Sequence, residues 1–276
     1  EIIFVLDPSA DDTENIILEE IKRNKNIKLL TLSRRFGQPA STMAGIFNCK
    51  GSYCVIIDID LQDPPDLIEE MYKKITSGFE VIYAKRKSRQ GETIIKKVIS
   101  SLGYYLINKL SDIQIPRDAG DYRIISRKVI NQLKELNESH GFLRGMVAFV
   151  GYKQSFIEYD RKERIAGKSK YNKFFGSLRI GLNGLIGFSS RPLFLMSIAG
   201  FVIAFLSFLL GLWYIFQKIY GINLTPGLTT TVILISFFAG VQLFGLGLVG
   251  EYIGRIYDEV KKRPKYIVDK KINFNE

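Results

Sequence analysis

Two long stretches of this chain carry no charge, and they constrain its architecture more than any other feature. Leu193 to Phe216 contains no Asp, Glu, Lys or Arg, and none lies between Lys218 and Glu251, although 24% of the 276 residues are charged. As a helix, Leu193 to Phe216 would extend about 36 Å, enough to cross the hydrocarbon of a bilayer with some tilt. Thr229 to Gly250 forms a second candidate span. A buried helical hairpin in a large soluble core is the competing reading; two uncharged segments of this length side by side argue against it. The connection from Gln217 to Leu228 has one lysine, whereas Arg191 precedes the pair and Lys261, Lys262, Arg263 and Lys265 follow it. Positive residues favour the cytoplasmic side, so the regions before and after the hairpin are both expected there.

The first half of the chain alternates strand and helix patterns. Residues 1–6 are an apolar run ending at Asp7, followed by the turn-like Pro8 to Thr13 and a helical stretch through Ile21. The unit repeats as strand Ile27 to Leu32, helix Ala40 to Cys49, strand Tyr53 to Ile59, helix Asp66 to Thr76 and strand Glu80 to Ala84. Such alternation predicts an α/β fold of Rossmann type with a mostly parallel sheet, which binds ligands beyond the carboxyl ends of its strands. Residues 92–110 return to a helical period. Residues 155–171, rich in charge and glycine, read as an exposed loop. Lys173 to Phe188 has apolar spacing with Arg179 as its one interior charge. It reads as an amphipathic helix at the membrane surface, with an ordinary core helix as the alternative. The expected organisation is a catalytic domain over 1–172, an interfacial helix over 173–192, a transmembrane hairpin over 193–250 and a basic cytoplasmic tail over 251–276. Arg263 to Val268 in that tail is a candidate edge strand for a neighbouring copy.

Composition narrows the chemistry. Lys and Arg number 39 against 28 Asp and Glu, a formal excess of +11 that suits an anionic partner. The cations concentrate beside the uncharged spans, which favours membrane lipid and phosphorylated substrates over nucleic acid. A single histidine, His140, excludes any two-histidine metal scheme. Cys49 and Cys54, on a helix end and the following strand, read as buried thiols of a reducing compartment. Carboxylates and cations must therefore carry the reaction.

In YCVIIDIDLQDPP, Asp58 and Asp60 alternate along a strand, so both carboxylates are expected on one face at the end of an apolar run. Hard oxygen ligands of this kind suit Mg²⁺ or Mn²⁺, and Gln62 continues the alternation with a further carbonyl oxygen. Asp63, before Pro64, reads as a helix N-cap. An Asp-x-Asp pair taken alone is weak evidence for a metal; its place at a strand end strengthens it.

FVLDPSADDT, RRFGQPASTMAGI, IDIDLQDPPDLI, DAGDYRIISRKV and RIAGKSKY occur here in the order and spacing of family 2 glycosyltransferases. After the two spans, GLGLVGEYIGRIYDEVKKRPKYIV resembles the branch that glycosylates polyprenyl phosphates, including bactoprenol glucosyltransferases and, more distantly, dolichyl-phosphate mannose synthases. The resemblance covers nearly the whole chain. It implies a GT-A-like catalytic domain that transfers a hexose, glucose from UDP-glucose in the first instance, to a polyprenyl phosphate with inversion. GDP-mannose is the alternative donor. It implies a multi-pass protein of the inner (plasma) membrane with its catalytic domain in the cytoplasm, and a homo-oligomer, by family a tetramer.

The same resemblance assigns Asp58, Asp60 and Gln62 to the metal. It makes Asp60 and Asp121 the catalytic carboxylates, Asp121 at the position of the family's base. A structural carboxylate paired with Arg123 or Arg117 is the other reading of Asp121. Asp7, Gln38 and Asp58 fall to the nucleotide, and Arg123, Arg164, Lys168, Ser169 and Lys170 to the acceptor phosphate. The sequence departs from the family where Asp-Asp-Gly-Ser reads Leu6, Asp7, Pro8, Ser9, and the strand that precedes Glu1 in the family, ending in a Pro-x-x-Asn-Glu loop, is expected upstream. A processive polysaccharide synthase would need a Gln-x-x-Arg-Trp motif, yet the one tryptophan, Trp213, lies in a span. An inactive membrane scaffold would have no use for Asp58, Asp60, Asp121 and the basic loop together. A nucleic-acid binder would bind duplex in a salt-sensitive way without detergent.

Overall fold

The computed structural model describes residues 1–86, 119–136, 138, 142–160, 186–187, 189–220 and 227–274. The chain divides into two compact units, Glu1–Phe188 with Lys262–Glu276, and Ser189–Lys261.

In the first unit, β1 (Ile2–Leu6) pairs in parallel with β2 (Ile27–Leu32), joined by helix α1 (Thr13–Arg23). Helix α1 buries Ile17 and Ile21, one turn apart on one face, against Ile27 and Leu29. Glu14 sits in its first turn and Lys22 and Arg23 in its last, charges that match the helix dipole. Helix α2 (Gln38–Asn48) opens after Gly37, whose φ of 89° favours glycine, and carries a proline in its first turn. It buries Met43, Ala44 and Ile46. An added Cβ at Gly45 would come 3.3 Å from Val5 Cγ2, so the helix lies close against β1.

A four-stranded sheet follows in the order β3 (Tyr53–Ile56), β5 (Ala119–Ser126), β4 (Val81–Arg86) and β6 (Gln154–Tyr159). Strand β5 is antiparallel to both its neighbours, and β6 runs parallel to β4. Helix α3 (Leu67–Ile75) covers this sheet through Met71 and Ile75, which pack with Ile82, Tyr122, Ile124 and Ile157. On the other side, α4 (Arg127–Glu135) and α5 (Leu143–Val150) join α2 around Met43, Ile125, Ile130 and Met146. Ser126 caps α4 by accepting from Val129 N–H.

Several expectations are corrected. Among the described residues the strands form two sheets, and two of the five strand pairings are parallel, so the α/β layering holds while the pairing is mixed. No described strand joins β1 to β3, and β5 returns antiparallel between β3 and β4. Residues 155–159, expected to begin an exposed loop, belong to strand β6, with Ile157 and Tyr159 buried. The tail also returns: β7 (Val268–Ile272) pairs antiparallel with β2, Leu29 opposite Ile272, and Asn273 Nδ2 bonds the carbonyls of Lys25 and Ile27. Of the segment Arg263 to Val268, expected as an edge strand, only Val268 belongs to β7, which pairs within its own chain through Val268 and Ile272 on β2's ladder. The helix expected at 92–110 and most of that expected at 173–192 lie outside the described residues.

The second unit holds α6 (Arg191–Ile219) and α7 (Leu228–Val260). Arg191 and Pro192, assigned from sequence to the interfacial helix, open α6, where proline is tolerated in the first turn. Helix α7 runs past Gly250, and its candidate span is Phe237–Val260. Both helices are long and apolar enough to cross a membrane, and no part of either candidate span is buried. Phe201 is 74% exposed and Leu243 70% exposed. A core helix of a soluble protein would have this apolar surface covered, so both helices stand as candidate membrane spans.

Candidate active site

Strand pairing brings the acidic residues together. Ile56, the last residue of β3, lies opposite Arg123 in the antiparallel β5 ladder. Asp58 follows the end of β3 and Asp121 lies two residues before Arg123 on β5, and the Asp121 charge acts on Asp58, so two carboxylates far apart in sequence come near each other at one sheet end. Past Ile56 the chain leaves the strand, and Leu61 takes a φ of 58°. The expectation that Asp58 and Asp60 extend from a strand is thereby corrected: the chain must turn before Pro64 and Pro65. An alternation in burial persists nonetheless. Asp58, Asp60 and Gln62 are half-buried, whereas Ile57, Ile59 and Leu61 are exposed, Ile59 by 79%. Polar side chains turned in and apolar ones turned out reverse the usual arrangement.

Asp58 Oδ1 accepts from Gln38 Nε2 at 2.8 Å, and Asp60 Oδ1 accepts from Gln62 N–H at 3.2 Å. Burial pushes the Asp58 carboxyl above its usual range, and the carboxylates of Asp121, Asp63 and Asp60 push it further against the Gln38 bond. Negative charge is thus concentrated where a cation would be stabilised. Among the described residues no group of three or more His, Cys, Asp or Glu side chains comes together as a metal cage. The oxygens of Asp58, Asp60 and Gln62 fit a hard ion of the Mg²⁺ kind, which takes one or two protein carboxylates and fills its other positions with substrate phosphate and water.

Asp121 meets an arginine that sequence reasoning missed. Arg144 Nε, from α5, donates to Asp121 Oδ1 at 2.9 Å. Burial pushes the Asp121 carboxyl up, but Arg144, Arg123 and Arg86 outweigh it and hold it below the usual carboxylate range. Arg123, assigned from sequence to the acceptor phosphate, is only 3% exposed and donates from Nη2 to the Gly120 carbonyl at 2.8 Å. Burial lowers its pKa to about 10, with Asp121 opposing. Buried on β5, it helps hold Asp121 ionised. Arg86, at the carboxyl end of β4, comes close to Gly120, where an added Cβ would meet its Nη2 at 3.4 Å. Two signals could have found these residues: a lone charge on the apolar helix LRGMVAFV, and a cation closing the strand VIYAKR.

Asp63 is 4% exposed and accepts from the Tyr159 hydroxyl; it is not a helix cap, and the residue preceding α3 is Asp66. Asp7 accepts from the N–H groups of Phe36 at 3.2 Å and Gly37 at 2.9 Å. Asp7, the Gly37 turn, Gln38 and Asp58 therefore form a connected line from the end of β1 to the end of β3. Arg164, Lys168, Ser169 and Lys170, expected at the acceptor phosphate, lie outside the described residues, as does Arg117.

With this geometry in place, comparison with known proteins identifies the scaffold. Residues 1–134 match the family described as Glycosyl transferase family 2. The chain is 41% identical over 270 residues to the Uncharacterized glycosyltransferase YkcC of Bacillus subtilis (strain 168), covering 98% of this chain and 83% of that protein. It is 38% identical over 270 residues to the Bactoprenol glucosyl transferase of Shigella phage SfII, covering 98% and 87%. It is 37% identical over 268 residues to the Prophage bactoprenol glucosyl transferase homolog of Escherichia coli (strain K12), covering 97% and 87%. Identity at this level, sustained through the α/β unit and both apolar helices, means that the chain belongs to glycosyl transferase family 2.

Proposed function

We propose that this glycosyltransferase moves glucose from UDP-glucose to a polyprenyl phosphate at the cytoplasmic face of the inner membrane, inverting the anomeric centre. The observation that carries the reading is the meeting of Asp58 and Asp121 at one sheet end, in a chain with two unburied apolar helices and relatives named for bactoprenol.

A lipid monophosphate has a second pKa of about 6, so near neutral pH it is largely a dianion and attacks without a strong base. Asp121, kept ionised by Arg144, accordingly orients the acceptor or a cation more than it removes a proton. Attack from the face opposite the leaving diphosphate inverts the sugar. Asp58 and Asp60, with Gln62, would hold Mg²⁺ or Mn²⁺, which when bound neutralises the charge of the departing diphosphate. Asp7 and Gln38 border the nucleotide. Arg164, Lys168, Ser169 and Lys170 supply cations and a hydroxyl for the lipid phosphate. The test is incubation of purified protein with divalent metal, polyprenyl phosphate and labelled UDP-glucose, UDP-galactose and GDP-mannose. A polyprenyl-linked glucose product is expected; sugar transferred to a growing polymer, or to no lipid at all, would overturn the proposal.

Both ends of the α6–α7 hairpin join the same folded unit, which favours an even number of crossings, and the flanking cations favour the cytoplasm for that unit. An epitope inserted between residues 221 and 226 is expected to be reached by antibody outside intact cells. One appended after Glu276 should become reachable only after permeabilisation. The reverse pattern, or equal access to both, contradicts the assignment.

A further inference from the structure

Cys49 and Cys54 lie at the two ends of the turn from α2 into β3, outside the cluster of catalytic carboxylates. Cys49 follows the last residue of α2, with its N–H on the Gly45 carbonyl at 3.0 Å, and Cys54 is the second residue of β3. Both are free and half-buried. Cys49 Sγ reaches the Ile46 carbonyl at 3.1 Å and Cys54 Sγ the Val55 carbonyl at 4.0 Å, and the two thiols are near enough for each to shift the other's ionisation. Arg127, at the start of α4, places Nη2 at 3.5 Å from Cys49 Sγ, and its Nε is anchored on the Gly51 carbonyl at 3.0 Å. A fixed cation thus lies beside one sulfur of the pair.

The surroundings divide the two thiols chemically. The bond from Cys54 draws the Cys49 pKa down against the effect of burial, and Arg127 assists. The Glu1 carboxylate opposes this, as does the Ile46 carbonyl 3.1 Å from Cys49 Sγ, which favours the protonated thiol. The bond to the Cys49 sulfur is also the largest cause that pushes Cys54 up, followed by burial. A thiolate beside a guanidinium is the reactive form of cysteine, and Arg127 Nη2 at 3.5 Å supplies that guanidinium to Cys49.

We propose that Cys49 and Cys54 form a thiol-modification site for low-molecular-weight disulfides, Cys49 capturing the reagent and Cys54 resolving the adduct into a Cys49–Cys54 disulfide. With glutathione disulfide, the Cys49 thiolate attacks one sulfur, forms a mixed disulfide and releases a glutathione thiolate. That thiolate takes the Cys54 proton; Cys54 sulfur then attacks Cys49 Sγ and expels the second glutathione. Two protein thiols are oxidised and one glutathione disulfide is reduced to two thiols. The product staples α2, whose first residue Gln38 holds Asp58, to β3, the strand that leads to Asp58. The inference does not depend on the sugar donor or the lipid acceptor.

The test uses the full chain in detergent, treated with glutathione disulfide at neutral pH and followed by intact-mass and peptide mass spectrometry. Wild type is expected to lose two hydrogens and retain no glutathione, with Cys49 and Cys54 cross-linked. Cys54→Ser should hold a lasting glutathione adduct on Cys49, and Cys49→Ser should react at least about tenfold more slowly. Arg127→Gln should slow the capture step while leaving the cross-link as product. A lasting adduct on wild type, first capture at Cys54, or two thiols untouched under conditions that oxidise the denatured chain would each overturn the proposal. The wild-type mass by itself separates the cross-link from a lasting adduct and from untouched thiols, and peptide mapping of early time points locates the first capture.

Discussion

Replacing Asp58 by asparagine is expected to remove sugar transfer and to leave the folded protein at least as stable as before. Loss of transfer by about 10³-fold or more is the scale at which a charge-stabilising group drops out of a transition state. Metal-dependent nucleotide binding should fall with it, and Asp60→Asn should behave alike. Stability moves the other way for a specific reason. Asp58 is half-buried and faces the carboxylates of Asp121, Asp63 and Asp60, so its pKa in the folded protein is raised. Such a group costs nothing while protonated in both states. The cost appears as pH rises above its unfolded value of about 4 and persists at neutral pH. Removing the charge relieves it. Thermal melts of wild type and Asp58→Asn at pH 7, beside a transfer assay, check both halves; a variant that transfers normally ends the metal assignment. Added Mn²⁺ with nucleotide should raise the wild-type melting temperature and leave the variant's unchanged.

The second large effect is expected at Arg144, a positioning residue. Arg144→Met should lower kcat by about 10²-fold near neutral pH, the range ascribed to a well-placed acid or base group. The KM for the nucleotide sugar should change little. In wild type, Arg144, Arg123 and Arg86 overcome the effect of burial and keep Asp121 ionised. Without Arg144, burial pushes the carboxyl upward, so the acid limb of the pH-rate profile should move to higher pH. Arg144→Lys should restore part of the rate and return the limb towards wild type. The stability sign follows from the same shift. A depressed carboxyl stabilises the fold above its unfolded pKa, and this contribution disappears as pH falls through the folded value, below about 4. Arg144→Met should therefore be less stable than wild type at neutral pH, with the difference closing as pH falls below about 4. A variant with a uniform fall in rate and an unmoved acid limb would reduce Arg144 to a packing residue.

Much of this fold was legible because its signals are local. Strand Ile27–Leu32 matches its apolar run residue for residue, and α3 falls inside the stretch from Asp66 to Thr76. Apolar periodicity and proline placement are properties of neighbouring residues. Asp63 was misread for the same reason. Asp-Pro resembles a helix start locally, whereas the partner that decides its role, Tyr159, is 96 residues away. The return of Val268–Ile272 to β2 was equally invisible, since a short strand with charges between its apolar ends fits an edge in any sheet.

The sequence by itself determined that charge is excluded from two spans, that the first half layers helices on sheet, and that Asp58, Asp60 and Asp121 are the acidic candidates. Periodicity and motif spacing are written along the chain. Tertiary structure alone decided which residues surround those acids: β5 running antiparallel beside β3 brings the Asp121 charge near Asp58, and α5 brings Arg144 to Asp121. Register and helix docking depend on burial shared among distant segments. No single segment carries that information, so only the folded chain shows that Asp121 is held charged by arginines while Asp58 is crowded by its fellow carboxylates.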